Sequence, residues 1–545
     1  MQRISRIQNK QVRTVFYSVL IFFALFIAWP AFTLFRNAFE YKHVFSFQNF
    51  SAVLTGGKLG TAFANSFRVS FISSLIATVL AFAFAYTVCF TNIPAWLKKT
   101  LRTLAVFPML LPTITYGFAI IYSFGKNGLI TKLFGFQFFD FYGFYGLIFG
   151  YVIYTFPISF TLLKNTMEYI DRSFIVVCRV MGDNAFKTFV TSILIPLSGT
   201  IAVSVVQSFF LSFTDFGIPA SIGGRYTVIS TMLYNTMLGS LPDFHQGAVI
   251  ALFMLLPSIF SILLLNYLQR FNVRYNKISR DALKENVFRD SILSIFSVII
   301  VLVIISIFAV VIVSPFVKAW PYDTSFSMDN FSNVVGDRSL NRVFGNSLVI
   351  SLFTAILGTV LVFAAALCCE RSKEKLHGTK TLLAIAQITN TIPGMVLGIA
   401  FLLTFRKTPI HNTLIIIVAC NLIHFFATPF LMMKGALEKM NSSWETTAAV
   451  LGDNWIKTVT RIIAPNALPT LLEIFCYLFI NGMVTVSAIV FIAGAKTMVI
   501  TTKIQELQHF AKFNEIFILS IYILLTNLVL KGVKGIINMK ILKRS

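Results

Sequence analysis

Apolar runs of about twenty residues recur along this chain, each long enough to cross the roughly 30 Å hydrocarbon layer of a membrane as a helix. The stretch 295–313 carries nothing more polar than serine. A backbone inside lipid must satisfy its amides and carbonyls internally, which leaves helices and closed barrels as the ways to span. Barrel strands read as short alternating segments, and runs like 295–313 do not alternate, so the spans are helical. Charged residues make up 12% of the 545 positions, about half the share in a soluble domain. The expected fold is therefore an all-α polytopic membrane protein with about twelve transmembrane helices.

The first run, 15–31, is too long for a typical secretory h-region and lacks a small-residue cleavage site, so it is read as a permanent span. Six cysteines (Cys89, Cys178, Cys368, Cys369, Cys420 and Cys476) show no CxxC spacing; neither a zinc site nor a disulfide framework is indicated. The formal net charge of +24 would point to nucleic acid in a soluble protein. Here the placement of the charges matters more. Basic residues cluster at Arg3, Arg6, Lys10 and Arg13, at Lys98, Lys99 and Arg102, and in the central stretch from Arg270 to Arg289. They recur at Arg371, Lys373, Lys375 and Lys380 and from Lys531 to Arg544. The positive-inside rule assigns each of these segments to the cytoplasm. Twelve spans with both termini cytoplasmic follow, near 14–36, 62–90, 102–125, 143–164, 197–218 and 245–269, then 290–316, 346–369, 381–404, 412–434, 466–491 and 513–534. Arg406 and Lys407 fall in an outward loop under this scheme and are read as snorkelling toward the interface.

The chain also repeats itself. Phe-Ser-Phe-Gln-Asn-Phe-Ser at 45–51 returns as Phe-Ser-Met-Asp-Asn-Phe-Ser at 326–332, displaced by 281 positions. Asn65-Ser66 meets Asn346-Ser347, Pro112 meets Pro393 and Gly117 meets Gly398 at the same displacement. Further on, Gly182-Asp183-Asn184 with Lys187-Thr188 is echoed by Gly452-Asp453-Asn454 with Lys457-Thr458, now 270 apart. A tandem duplication follows: a first repeat at 1–269, a cytoplasmic linker at 270–289 and a second repeat at 290–545. Six spans per repeat give both copies the same orientation, related by an axis along the membrane normal.

Between the fourth and fifth spans of each repeat lies a polar stretch of about thirty residues, longer than most helix connections. In the second repeat it contains Thr446, Thr447, Ala448, Gly452, Ile462 and Pro465; in the first, Val176, Val177, Cys178, Gly182 and Pro196. This spacing resembles the Glu-Ala-Ala loop of permease subunits of binding-protein-dependent ABC importers: Glu-Ala-Ala, a glycine after three residues, then Ile and Leu-Pro. Both motif glutamates are replaced here. Two short helices with a turn at the glycine are expected, since glycine reaches backbone conformations closed to other residues. Asp183 and Asp453 would start the second helix, favourably placed against its dipole.

The resemblance implies two MetI-like six-helix repeats and a coupling helix in each loop that inserts into a cytoplasmic ATPase. Phe186, Trp455 and Ile456 would be its apolar anchors, with Lys187 and Lys457 at the rim. The alternative for these loops is an amphipathic helix lying on the membrane surface. The resemblance further implies a homodimeric ABC ATPase and an extracytoplasmic solute-binding protein as partners, and a bacterial inner-membrane location with lipid around the spans. No directly bound cofactor, metal or nucleic acid is expected, with ATP acting through the partner subunits.

The chain has no GxxxxGK[ST] motif and no HExxH or GxSxG constellation, so enzymatic activity has no visible residues to carry it. Few charges lie at membrane depth, where they are costly and functionally suggestive. Asp215, within Phe-Thr-Asp-Phe-Gly-Ile-Pro, stands near the outer end of the fifth span; it is either a pathway group beside a mobile gate loop at 220–224 or a helix terminus. Glu473 and His424 are read as packed, hydrogen-bonded interhelical residues. Pro112 and Pro393 should kink the third span of each repeat beside Gly117 and Gly398, as in a gating helix. The fused architecture and the segment at Asp215 resemble permeases of the ferric-iron and 2-aminoethylphosphonate type, with the thiamine type as the alternative. The rival class, an ion-coupled secondary transporter, would be expected to show buried midplane acids and no long loop after the fourth span.

Overall fold

A computed structural model describes residues 2–137, 139–268, 270, 286–371, 379–441 and 443–542. Most of the predicted linker, 271–285, lies outside the described residues, and the helix Val287–Val313 starts within its last three positions. Among the described residues nine helices are long and apolar enough to cross a membrane. Eleven spans result if two bent pairs, Lys380–Thr391 with Gly394–Phe405 and Leu414–His424 with Ala427–Glu438, each count as one. The remaining expected span, 102–125, is broken into Ala95–Ala105, a 3-10 turn at Phe107–Leu110 and Thr113–Phe124.

The expected kinks at Pro112 and Pro393 are thus complete breaks. Both prolines are extended (ψ 145° and 142°) and stand just before a new helix. The second break bends the chain by 103°. Proline disfavours helical geometry in the residue before it and supplies no amide of its own, so the helix ends and restarts. A break inside a bundle frees carbonyls that need donors. The Leu110 carbonyl accepts from Asn527 Nδ2 at 3.0 Å and the Pro108 carbonyl accepts from the Tyr116 hydroxyl.

The two repeats exchange their first spans. Gln2–Phe23 runs through a π-helical turn at Ala24–Ala28 into Trp29–Phe39, and this long helix packs on the second repeat, its Trp29–Phe39 part also lying against Phe244–Leu268 of the first. Phe23 lies 4.6 Å from Phe426 and Phe26 5.8 Å from Phe405, ring to ring. Reciprocally, Val287–Val313 packs on the first repeat. Phe308 meets Phe107 and Tyr116, Ser297 donates to Thr87 Oγ1 at 2.9 Å, and Asp290 accepts from the Asn92 amide at 3.1 Å.

The 281-residue repeat at Phe45 and Phe326 forms a clamp where each first span leaves the bundle. Two small antiparallel hairpins, Glu40–Tyr41 with Val44–Phe45 and Val317–Ala319 with Asp323–Phe326, are the described exceptions to an all-helical chain. In the first, Asn49 Nδ2 donates to the carbonyls of Ala38 and Glu40 at 3.1 and 2.9 Å; in the second, Asn330 Nδ2 donates to those of Pro315 and Val317. Phe45 stacks on Phe39, and Phe326 on Phe316. The matched asparagines therefore close the carbonyls that the end of a helix leaves without partners.

Candidate functional site

The two polar loops have one architecture. Ser173–Val180 and Ser443–Val450 are short helices, each followed by a glycine in the left-handed region, Gly182 at φ +82° and Gly452 at φ +80°. The Asp183 amide donates to the Cys178 carbonyl at 3.0 Å and the Asp453 amide to that of Ala448 at 2.9 Å. A residue bonded back over the turn through a positive-φ glycine is the usual way to end a helix and satisfy its last carbonyls.

The expectation that Asp183 and Asp453 open the next helix is corrected. The capping residues are Asn184 and Asn454, whose side chains accept from the Lys187 and Lys457 amides at 2.8 Å in each case. Asn holds the extended backbone of the cap and offers a neutral carbonyl to the free amide. The aspartates instead pair with the lysine one turn on: Asp183 lies 2.6 Å from Lys187 Nζ, and Asp453 contacts Lys457 Nζ.

A second correction concerns the helix itself. Ala185–Phe189 is not a separate short helix; it continues through a π-helical turn at Val190–Leu194 into Ile195–Thr214. Trp455–Thr458 likewise continues through Val459–Ile463 into Ala464–Val484. In each copy the wide turn directly precedes a helix whose second residue is proline, Pro196 or Pro465. A proline ring clashes with the carbonyl four residues earlier, and a widened turn relieves that clash without ending the helix. The glycine turn thus stands at the near end of one continuous helix that includes the fifth span.

The proposed anchors divide. Phe186 is 76% exposed and Ile456, its 270-residue counterpart, is also exposed, whereas Trp455 is only 7% exposed. Trp455 matches Ala185 and packs inward among the core side chains. Sequence reasoning missed the residues just before the glycines. Val180 and Met181, matched by Val450 and Leu451, are all exposed. Their signal was apolar residues repeated at 270 beside an invariant turn. Of the remaining loop candidates, Thr446 is exposed and Ala448 is buried.

The pathway candidates gather where the broken third span meets the segment after the fifth. Asp215 follows Ile195–Thr214, is 9% exposed, and accepts from Thr113 Oγ1 at 2.8 Å and from the Ile218 amide at 2.9 Å. Asp215 is the residue at which that helix ends. Of the expected loop at 220–224, residues 220–222 belong instead to a short helix, Gly217–Ile222, with Ile218 and Ile222 fully buried.

Gly117 and Gly398 are points of close contact: an added Cβ would come within 1.9 Å of Ser221 Oγ and 2.4 Å of the Ala488 carbonyl oxygen. The contact at the start of the restarted helix is built with exchanged sizes. Thr113 faces Gly217 in the first repeat, and Gly394 faces Ser487 in the second.

Glu473 pairs with Lys534 of the last helix, as an interhelical residue should. His424 ends Leu414–His424 at a 56° bend, and its Nδ1 finds no hydrogen-bond partner among the described residues. Arg406 lies over the Phe244 ring at 5.3 Å, a cation–π contact between the repeats.

A family model described as "Binding-protein-dependent transport system inner membrane component" matches residues 77–275 and 372–543, more than half of the chain. The ferric transport system permease protein FbpB of Actinobacillus pleuropneumoniae is 25% identical over 508 residues, covering 89% of this chain and 72% of its own length. A second ferric transport permease, from Haemophilus influenzae, is 24% identical over 497 residues, covering 88% and 77%. Among solved structures, a bacterial ABC transporter involved in import of the acidic polysaccharide alginate matches at a TM-score of 0.37 and 15% identity, covering 47% of this chain and 99% of that one.

Proposed function

This chain belongs to the family of binding-protein-dependent transport system inner membrane components, and from that premise we propose that it forms, alone, the whole translocation pathway for ferric iron. It is a permease subunit of an ABC importer, a multi-pass inner-membrane transport component that works with an ATPase and a solute-binding protein. The finer reading places the repeats 1–269 and 290–545 as two permease halves joined at 270–289, with both termini and both glycine-turn loops cytoplasmic. Two ATPase subunits, as a homodimer, engage the two loops and bind the ATP; no cofactor binds the permease itself.

One observation carries this reading. Each repeat presents the same exposed apolar trio, Val180, Met181 and Phe186 in one and Val450, Leu451 and Ile456 in the other, around the same positive-φ glycine. Exposed apolar side chains clustered on a polar turn favour burial against a partner. The continuous helix behind each turn supports transmission of partner motion into the fifth span. The iron assignment rests on the two ferric permease relatives that align over most of this chain.

The test is reconstitution of the permease with its cognate ATPase in vesicles, with iron-loaded binding protein supplied outside. ATP-dependent accumulation of radioactive iron is expected, together with none when the ATPase is omitted. Uptake driven by an ion gradient without ATPase would overturn the reading, and uptake of a different solute would overturn the cargo.

A further inference from the structure

The second span of each repeat is its longest unbroken α-helix. Lys58–Phe90 and Arg338–Glu370 each have 33 residues, or about 50 Å of straight rise. Both ends of each helix are fastened in matched ways. At the start, Asn65 Nδ2 donates to the Thr227 carbonyl at 3.0 Å and Ser66 Oγ accepts from the Ile229 amide at 2.8 Å. In the second repeat Asn346 Nδ2 donates to the carbonyls of Lys496 and Met498 at 3.1 and 3.0 Å, and Ser347 Oγ accepts from the Ile500 amide at 2.8 Å. These partners follow the short buried segment beyond the fifth span, so the Asn-Ser repeat fastens the second span to the chain that follows the fifth.

At the other end the fastening is made by one guanidinium per repeat, supplied from opposite sides of the same junction. In the second repeat Arg371, which ends the long helix and whose side chain is 4% exposed, reaches into the loop. It donates to the carbonyls of Met440 and Asn441, both at 2.9 Å, and pairs with Glu445 in the first turn of Ser443–Val450. In the first repeat the position matching Arg371 is Phe90. There Arg172 of the loop reaches back to the long helix, donating to the Cys89 carbonyl at 3.0 Å and lying over the Phe90 ring at 5.9 Å. A buried charge pair is costly to desolvate and stabilises little by itself. A guanidinium bonded in several fixed directions does hold two backbones at one spacing.

We propose that the helices Lys58–Phe90 and Arg338–Glu370 are rods that carry loop motion to the pathway segments at 227–229 and 496–500, with Arg371 and Arg172 as the positioning residues that engage them. This rests on the coupling role given to the loops. Because Arg371 and Glu445 are tied to each other, a displacement of the Gly452 turn moves the end of the rod as well as the fifth span. The rod then shifts Asn346 and Ser347 against their partners.

The experiment uses the complete complex with its ATPase in lipid nanodiscs, comparing wild type, Arg371→Gln, Arg371→Lys and Asn346→Ala. The readouts are the ATP-induced change in amide exchange at 496–502 and the ATP hydrolysed per iron imported. Arg371→Gln should abolish the exchange change and raise the hydrolysis ratio at least about fivefold, the lower end of typical coupling energies. Arg371→Lys, which keeps the charge but not the paired carbonyl bonds, should fall between. Asn346→Ala removes two of the three bonds at the far end and should give the same loss, which decides the matter if Arg371→Gln does not assemble. Wild-type exchange and ratio in Asn346→Ala, or in assembled Arg371→Gln, would overturn the rod. Absence of any ATP response in wild type would instead overturn the coupling reading beneath it.

Discussion

Asn527, on the last helix, donates its side-chain amide to the Leu110 carbonyl at 3.0 Å, at the point where the third span of the opposite repeat is broken. Asn527 is fully buried, so this bond sits where water cannot replace it. Replacing Asn527 with Leu should cost about 0.5–2 kcal/mol, the range for a lost buried hydrogen bond in water and within membranes. Thermal unfolding of the purified permease in detergent measures this. An unchanged midpoint would mean that the Leu110 carbonyl has another donor.

The cap assignment separates two neighbouring residues. Asn184→Ala should destabilise the start of its helix by about 1 kcal/mol and speed exchange of the Lys187 amide, which loses its acceptor. Asp183→Ala removes a partly exposed ion pair, of a kind worth about 1 kcal/mol, and should leave that amide protected. Amide exchange of both variants checks the order; faster exchange in Asp183→Ala alone would restore the aspartate as cap.

At Gly452 an added Cβ would meet nothing within 4 Å, yet φ is +80°. Substitution by Val therefore acts through backbone strain, about 1–2 kcal/mol, and not through a clash. Gly452→Val should keep the permease folded while lowering iron imported per ATP in the reconstituted complex. Coupled uptake at the wild-type ratio would remove the turn from the mechanism.

The exchanged contact at the restarted helix predicts a compensating pair. Gly394→Ala brings a Cβ within 2.4 Å of Ser487 Oγ and should cost about 1–3 kcal/mol as overpacking. Ser487→Gly removes that atom, so the double variant should recover most of the loss, a coupling that a double-mutant cycle on thermal stability detects. Additive losses would show that the two residues do not meet.

How much was legible beforehand varies by residue. The glycine turns at Gly182 and Gly452 were readable because a backbone requirement leaves a residue-specific mark. The helix caps were misread by one position, since Asp and Asn both serve as caps and local sequence does not say which oxygen faces the free amide. Trp455 looked like a surface anchor because composition marks it as apolar without saying which way its helix turns it. The breaks at Pro112 and Pro393 were read as kinks, because whether a helix bends or stops depends on whether distant donors such as Asn527 exist to satisfy the freed carbonyls.

The amino-acid order alone determined that this chain lives in lipid as helices, that it is a duplicated unit, and that each copy carries a glycine-punctuated polar loop. These follow from hydrophobic run length, from register and from backbone chirality, all of which are local. The tertiary structure decided that the first spans change partners, that Gly117 and Gly398 mark close contacts, and that Arg371 and Arg172 fasten the same junction from opposite sides. Those facts depend on which atoms meet across hundreds of positions, and contact between distant residues has no period or spacing from which it can be read.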